Sequence, residues 1–500
     1  MLSLLAVTAL AAAPVPRDVE VKVSGAQLTF VFRAGRFDGL QSQLLCLAKA
    51  YSCSHEAMLQ LWRESMAWSA DDDVALEHFK EALSAHQASS EIPADGAAAP
   101  LVGDVHWSLE NRVAHAFLVA RDEGELRSAL TTLLGPQSVD GLLALTHRVQ
   151  PRFDAWWAAK GLPLAARFAK QLGTVVTEGK LVPLAESVMR FYAPPLSGPQ
   201  PIVFHLVPRF RQPGSNGGHT MATVIDRDAY VEFLTDERAQ DRVDVVMHEL
   251  FHFFLSARTP EQHRALNDAF AASAHPDAMS LYALVDEGLA TTFGNGLVAQ
   301  RVTEAAHFAK QLTQPESFYS NADIDGVAKA WFTRAAQWLE QGKTLGPQLV
   351  EDLISTAAPG VAKQRNTLGF IMRTRAFEAV NDDDMWAAKW LSNEIDGSST
   401  YRDSGDEVFM LEQFPQLSGA VVVRWGELAR LGKRPKLIDA KTLTALTSRP
   451  AGVFGLSRSV QADVYFIIAA DKAGLDTQLK RLVAHGQRFT GWLSTPDAGP

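Results

Sequence analysis

The sequence predicts an α+β chain that is predominantly helical. Apolar residues recur at the three- and four-residue spacing of buried helices through most of the chain. The alternation typical of strands is confined to stretches near residues 19–32, 202–226 and 417–468. A length of 500 residues allows two or three domains. The clearest boundary between them is the proline-rich run at residues 193–201.

Residues 1–13 form an apolar run that ends in small residues, as a secretory signal peptide does. The run has no Lys or Arg before its apolar part, so a short buried N-terminal helix is the alternative. If the run is a signal peptide, we expect the mature chain to be exported to the periplasm or to the outside.

Residues 19–193 are predicted to form a mainly helical N-terminal domain. Alternation on both sides of Ser24-Gly25 indicates a short hairpin at its start. Helical periodicity then covers residues 39–51, 55–68, 74–86, 112–134, 139–172 and 181–192.

The two cysteines of the chain, Cys46 and Cys53, leave two interpretations open. On one continuous helix they would lie about 10 Å apart along the axis, too far for a disulfide. Ser52 and Ser54 favour a break there, and a disulfide across a helix–turn–helix then becomes possible and fits export. Two buried free thiols are the alternative.

The stretch at residues 245–254 contains the pattern His248-Glu249-x-x-His252. Positions four apart lie on one face of a helix, so both histidines can bind one metal ion, and Glu249 can reach a water on that metal. The alternative is an amphipathic helix with two solvated histidines. The apolar neighbours argue against it, because buried polar groups need partners.

A third metal ligand is predicted at Glu287, in a second apolar helix around residues 281–291. The small residues Gly288 and Ala290 would let this helix approach the first. Asp286 is the alternative ligand, although a surface or capping charge is its simpler interpretation. A longer motif with a third histidine is excluded, since position 258 is Arg. Asp244 lies one turn before His248, either to orient a ligand histidine or only as a helix-start charge.

The sequence His-Glu-Leu-Phe-His followed by Asp-Glu-Gly-Leu-Ala resembles the gluzincin group of zinc metallopeptidases, which includes thermolysin. The resemblance covers residues 200–343 and implies a thermolysin-like zincin catalytic domain there. It implies one Zn²⁺ per chain, held by the two motif histidines and Glu287. It also implies that Glu249 acts as the general base of peptide-bond hydrolysis. The chain departs from the group at Thr291, where several members have an acidic residue that orients a ligand histidine.

Gluzincins commonly use a Tyr or His to stabilise the oxyanion, and Tyr319 is our candidate, with Tyr282 next. A packing role is the alternative for Tyr319. Strands are predicted at 202–207 and 219–226, just before the metal helix. In gluzincins an edge strand in this position binds the substrate as an extra strand, and residues 219–224 are the candidate. A plain hairpin is the alternative.

Residues 344–500 are predicted to form a small α/β C-terminal domain. Helices come first, followed by strands at 417–425 and 462–468 and a helix at 477–485. No motif in this region points to a reaction.

Charge and hydropathy narrow the choice of partners. The net charge of −10, from 47 basic and 57 acidic residues, comes without a basic patch, so we expect no nucleic-acid partner. No apolar run after the N-terminus is long enough to span a membrane. The resemblance to gluzincins implies a peptide or protein substrate as the partner. Two alternatives remain, an inactive metallopeptidase-like binding protein and a zinc hydrolase acting on a non-peptide substrate.

Overall fold

A computed structural model of the chain describes residues 18–50, 53–85, 109–196, 198–211, 220–225, 227–357, 368, 370–371, 375–394, 399–401, 410–413, 418–458 and 462–494. The predicted signal segment at residues 1–13 lies outside this range, as does residue 219 of the predicted edge strand.

The described residues are predominantly helical with two sheets, so the predicted mixed, mainly helical fold is confirmed at that level. The helices are α1 (Arg36–Leu47), α2 (His55–Ser65), α3 (Ala70–Ala85), α4 (Leu109–Val119), α5 (Glu123–Leu134), α6 (Pro136–Trp156), α7 (Leu162–Glu178), α8 (Leu181–Tyr192), α9 (Val243–Ser256), α10 (Pro260–Ala272), α11 (Ala278–Thr291), α12 (Ala299–Val302), α13 (Ala305–Thr313), α14 (Ala322–Glu340), α15 (Val350–Ala357), α16 (Met385–Asn393), α17 (Met410–Gln413), α18 (Leu428–Leu431), α19 (Ala440–Leu446) and α20 (Lys472–His485). Two π-helical segments, Trp157–Gly161 and Thr292–Val298, join α6 to α7 and α11 to α12.

The first sheet has five strands in the order β1-β2-β3-β5-β4. Its strands are β1 (Val19–Ser24), β2 (Leu28–Ala34), β3 (Gln200–Arg209), β4 (Met221–Ile225) and β5 (Asp228–Leu234). The predicted hairpin is β1 and β2, which pair antiparallel. β2, β3 and β5 run parallel, and β4 pairs antiparallel with β5 as an outer strand.

The sequence did not predict β5, although it is the strand that joins β4 to the rest of the sheet. Its buried Glu232 interrupts the apolar alternation. That charge is met by Arg209 on β3, with a nitrogen–oxygen distance of 3.7 Å. A buried charge is tolerated in a strand when a partner of opposite sign is buried with it, and such a partner is not visible from the local sequence.

One hydrophobic core contains residues from both sides of the predicted boundary at 193–201. It includes Phe30 and Phe32 of β2, Phe204 of β3 and Phe251 of α9, all 1 % exposed or less. The rings of Phe32 and Phe204 stack at 5.1 Å across the parallel strands. Regions 19–193 and 200–343, which were predicted as separate domains, therefore share one core and one sheet.

The C-terminal region has its own six-stranded sheet, in the order β11-β9-β10-β8-β6-β7. Its strands are β6 (Arg375–Ala379), β7 (Ser399–Tyr401), β8 (Ser418–Arg424), β9 (Gly452–Ser457), β10 (Asp463–Ala469) and β11 (Gly491–Trp492). The sequence predicted β8, β10 and α20. Helix α15 packs in the first core, and the second core contains described residues from Leu368 onward.

Cys46 and Cys53 form a disulfide, with Cα atoms 5.8 Å apart. The chain leaves α1 at Leu47 and begins α2 at His55, so the break between helices that a disulfide requires is present. Of the two interpretations left open by the sequence, the structure contains the disulfide.

Within the described residues, no helix combines the length and the apolar character needed to cross a membrane.

Candidate metal centre

Helix α9 holds the two motif histidines and is buried on nearly all sides. Most of its apolar residues, among them Val246, Leu250 and Phe254, are 2 % exposed or less. Removing this much apolar surface from water holds the helix rigidly in the core. The polar side chains that project from it are therefore fixed in position.

Helix α11 returns to pack on α9, but one more helix separates them than the sequence predicted. The turn after α9 is fixed by a capping box, in which Thr259 and Gln262 exchange side-chain and backbone hydrogen bonds at the start of α10. α10 then leads into α11 and brings Glu287 back to the histidines.

His248, His252 and Glu287 converge on one point. The Nε2 atoms of the two histidines lie 2.9 Å apart. Oε2 of Glu287 lies 3.5 Å from Nε2 of His248 and 3.6 Å from that of His252. A tetrahedral ion with bonds of about 2.05 Å needs ligand atoms about 3.3 Å apart, and these three separations lie on either side of that value. Oε2 is buried without a hydrogen-bond partner, as a ligand atom would be.

The Nδ1 atom of each histidine, on the side of the ring away from the point of convergence, has a different hydrogen-bond partner. Nδ1 of His252 lies 2.7 Å from Oδ1 of Asp286, so Asp286 is on the far side of that ring from the point of convergence. Nδ1 of His248 lies 3.0 Å from Oδ1 of Asn295. The amide nitrogen of Asn295 donates to Oδ2 of Asp244 at 3.2 Å. Of the adjacent pair Asp286 and Glu287, Glu287 is thus the one that faces the point of convergence.

Gly288 does not bring α11 close to α9, as the sequence predicted. A Cβ added there would lie 2.7 Å from the ring of Trp331 on α14, so Gly288 makes room for α14 and not for α9. The close approach to α9 occurs at Gly294, where a Cβ would lie 2.8 Å from Cα of His248. The π-helical segment therefore passes directly against the metal helix.

Tyr319 lies beside the centre, whereas Tyr282 does not. The Tyr319 ring stacks on that of His248 with centroids 6.1 Å apart, and its hydroxyl lies close enough to Glu287 for that charge to raise its pKa. Tyr282 is 7 % exposed and packs against Phe270. The structure therefore brings together the residues singled out from the sequence: His248, Glu249, His252, Glu287 and Tyr319.

Burial and charge set the protonation of these groups. Burial would raise the pKa of Glu287, but its interactions with the neighbouring His248 and His252 side chains outweigh burial and hold that pKa well below its usual range. Burial raises the pKa of Glu249, and the two histidines oppose the rise. Burial, together with the charge of Glu287, raises the pKa of Tyr319 to about 12. Tyr319 therefore keeps its proton at neutral pH and can donate a hydrogen bond.

The donor set suits zinc. Two imidazole nitrogens and one carboxylate oxygen are borderline and hard donors, which Zn²⁺ accepts while leaving one position for water. The Glu287 side chain is 39 % exposed, so the centre is open to solvent on one side. A second group, Cys46, Cys53 and Glu232, also lies close together, but its two sulfurs are bonded to each other.

Strand β4 runs beside the centre. It is the outer strand of the first sheet and packs against α9. Its outer side pairs with no other strand among the described residues. This is the position predicted for a strand that holds an extended peptide, while its pairing with β5 also fits the plain-hairpin alternative.

A scan of protein-family models and searches of the curated proteins and the solved structures return no match to the chain. The resemblance to gluzincins thus depends on the motif residues themselves.

Sequence reasoning missed Asn295. Its signal was the run Gly294-Asn295-Gly296, a polar residue between two glycines inside an otherwise apolar helical stretch. Asp244 was noticed as a residue one turn before His248, but it contacts Asn295 and not a ligand.

Proposed function

We propose that the protein is a zinc-dependent metallopeptidase. The observation that carries the proposal is the convergence of His248 Nε2, His252 Nε2 and Glu287 Oε2, with Glu249 next to the first ligand. The motif spacing and this geometry are independent of each other, because spacing concerns one helix and the third ligand comes from another.

Zn²⁺ bound to these three residues would acidify a water molecule and polarise the substrate carbonyl. Glu249 accepts the proton of the attacking water and delivers it to the leaving amine. Burial, which raises the pKa of Glu249, favours this exchange because the carboxyl group must be protonated and deprotonated in turn. The hydroxyl of Tyr319, which keeps its proton at neutral pH, donates to the oxyanion as it forms.

The outer edge of β4, which pairs with no strand in the described part of the chain, supports a peptide as substrate, since such an edge offers N–H and C=O groups to an extended chain. The disulfide between Cys46 and Cys53 supports an exported protein, because disulfides persist in oxidising compartments.

The first experiment measures the metal content of the purified wild-type protein beside Glu287→Ala and Asp286→Asn. We expect about one zinc per chain in the wild type and in Asp286→Asn at saturating zinc, because Asp286 is not a ligand. We expect zinc to be lost or much weakened in Glu287→Ala. Peptide hydrolysis with and without a chelator then follows on the same preparations.

Other results would contradict the proposal in distinct ways. Zinc retained in Glu287→Ala would place the third ligand elsewhere. Zinc bound without chelator-sensitive hydrolysis of peptides would point to an inactive binding protein. If a panel of esters and non-peptide amides is hydrolysed and peptides are not, the protein is a zinc hydrolase of another specificity.

A further inference from the structure

The two candidate ligand histidines differ in what holds them from behind. Nδ1 of His252 contacts Asp286, an acidic residue that immediately precedes the candidate ligand Glu287. Asn295 is a neutral amide and lies eight positions after that ligand. In a gluzincin with an acidic residue four after the glutamate, position 291 would have this role. Here it is Thr291, which is fully buried and whose hydroxyl has no hydrogen-bond partner.

The π-helical segment explains how Asn295 reaches His248. A π-helical turn holds more residues than an α-helical one, so residues beyond it are shifted around the axis, and such turns recur at functional sites. The segment Thr292–Val298 begins directly after α11 and includes Asn295. Gly294 lets its backbone lie against Cα of His248, because a side chain there would collide. Thr292 anchors the segment through its hydroxyl, which donates to the carbonyl oxygen of Gly288 at 2.6 Å.

Asp244 fixes which way the Asn295 amide points. An asparagine amide could present either oxygen or nitrogen to a histidine, and the surrounding hydrogen bonds decide between them. The nitrogen of Asn295 donates to Oδ2 of Asp244, and this leaves its oxygen facing Nδ1 of His248. An acceptor at that position requires the hydrogen of His248 to be on Nδ1. The lone pair of Nε2 then points to the metal.

Resting on the proposed metal centre, we propose that Asn295 and Asp244 are a positioning pair that holds His248 in its metal-binding tautomer, and that the π-helical segment delivers this pair. Neither residue touches substrate or metal. Groups that orient metal-binding histidines in this way typically change metal affinity by about 10- to 100-fold when removed.

The experiment measures the zinc dissociation constant by competition with a chromophoric chelator, together with thermal unfolding of the metal-free protein. Asn295→Leu removes the acceptor at similar volume, and we expect affinity to fall by about 10- to 100-fold. Asp244→Leu should weaken it less, because Asn295 remains but can turn its amide. Thr291→Val is the matched control, because Thr291 is a nearby buried residue whose hydroxyl has no hydrogen-bond partner. This change should leave the zinc affinity unchanged.

The double variant Asp244→Asn/Asn295→Asp separates positioning from packing. It exchanges the two groups, so that a carboxylate accepts from His248 and an amide donates to that carboxylate. We expect its zinc affinity to return to within a few-fold of the wild type. Because the exchange keeps volume and net charge, it remains informative if Asn295→Leu fails to fold.

Each outcome bears on the inference. Wild-type affinity in folded Asn295→Leu, or an exchange variant that binds as weakly as Asn295→Leu or Asp244→Leu, would overturn the positioning pair while leaving the proposed function in place. A wild-type protein that binds no zinc would overturn the metal centre and the positioning pair together.

Discussion

The candidate metal centre and a second cluster, centred on His205, both place histidine among carboxylates inside the protein. In the second cluster, Nδ1 of His205 lies 2.8 Å from Asp38 and Nε2 lies 2.8 Å from Asp228. His115 approaches Asp228 from its other side at 3.3 Å. In the candidate metal centre, by contrast, His248 has a carboxamide partner at Nδ1, while its Nε2 faces the other two candidate ligands.

The two clusters differ at Nε2, which has a carboxylate partner in His205 but faces the other candidate ligands in His248. Burial would lower the pKa of His205, but hydrogen bonds with Asp228 and Asp38 outweigh it and leave that pKa above its usual value. Both nitrogens of His205 therefore carry hydrogens and neither has a lone pair for a metal. The cluster at His205 binds a proton, whereas the arrangement at His248 leaves one nitrogen for a cation. Residue type alone does not distinguish the two.

The largest expected effect is on peptide hydrolysis, the activity that the comparison assigns to the candidate metal centre alone. Glu249→Gln should bind zinc as the wild type does, because Glu249 is not a ligand, but it cannot accept a proton. We expect kcat/KM for peptide hydrolysis to fall by about 10²- to 10⁴-fold, the usual contribution of a general base. Steady-state kinetics beside a zinc assay measures both.

The matched control is Glu186→Gln, the same change at a buried glutamate of α8 that is not among the candidate site residues. Glu186 accepts hydrogen bonds from the backbone nitrogens of Gln27 and Leu28, and an amide oxygen can still do so. Its activity should be unchanged. Undiminished hydrolysis in Glu249→Gln would remove Glu249 from the mechanism.

The second prediction concerns stability. His205→Leu leaves Asp38 and Asp228 buried without the cation between them, which should destabilise the fold by about 3–5 kcal/mol. Zinc bound per folded chain should stay at the wild-type value. Urea unfolding measures the first quantity, and the metal assay measures the second.

His147→Leu is the matched control for this change. His147 pairs with Glu123 at 2.8 Å, but its side chain is 52 % exposed. Such a surface pair contributes at most about 1 kcal/mol. If His205→Leu were no more destabilising than His147→Leu, or if it lost zinc while folded, the two clusters would not differ in the way argued above.

The parts of the centre that could be predicted are those set by local spacing. His248 and His252 share a face because they are four residues apart on one helix, and Glu287 lies in a short apolar stretch of recognisable pattern. The contact between Asn295 and His248 could not be predicted, because it depends on a π-helical segment packed against another helix. The neighbour predicted for Gly288 was wrong because its actual neighbour, Trp331, is 43 positions away in sequence and is not visible from the local pattern.

The fold likewise has features that the local sequence predicts and features that it does not. Helices and the first hairpin follow from periodicity, which is a local property. The parallel pairing of β2 with β3, across more than 150 residues, leaves no local trace, and it joins the regions predicted as separate domains. In the second sheet, β9 was missed because Gly455 weakens the strand pattern. A Cβ there would lie 2.3 Å from the carbonyl oxygen of Phe489, so the packing requires glycine.

The smallest expected effect, and the finest test of the comparison, is pH dependence. Burial would raise the pKa of Asp228, but hydrogen bonds with His115 and His205 lower it from 3.8 to about 2. A lowered pKa stabilises the fold above the ordinary value, so about 2 kcal/mol should be lost as pH falls from about 4 to 2. The raised pKa of His205 stabilises the fold below 6.5, and that contribution is lost as pH rises through the folded value.

The cluster at His205 should therefore contribute most between about pH 4 and 6.5. Urea unfolding of the wild type and His205→Gln from pH 3 to 9, with chelator present throughout, isolates this contribution as a difference between the two proteins. The difference should narrow towards both ends of the range. Zinc affinity should change in the opposite sense on the alkaline side, rising with pH, because metal ligands must be free of protons. A difference in stability that grows from pH 7 to 9 would mean that His205 is held neutral, and the contrast between a proton-binding and a metal-binding histidine would then fail.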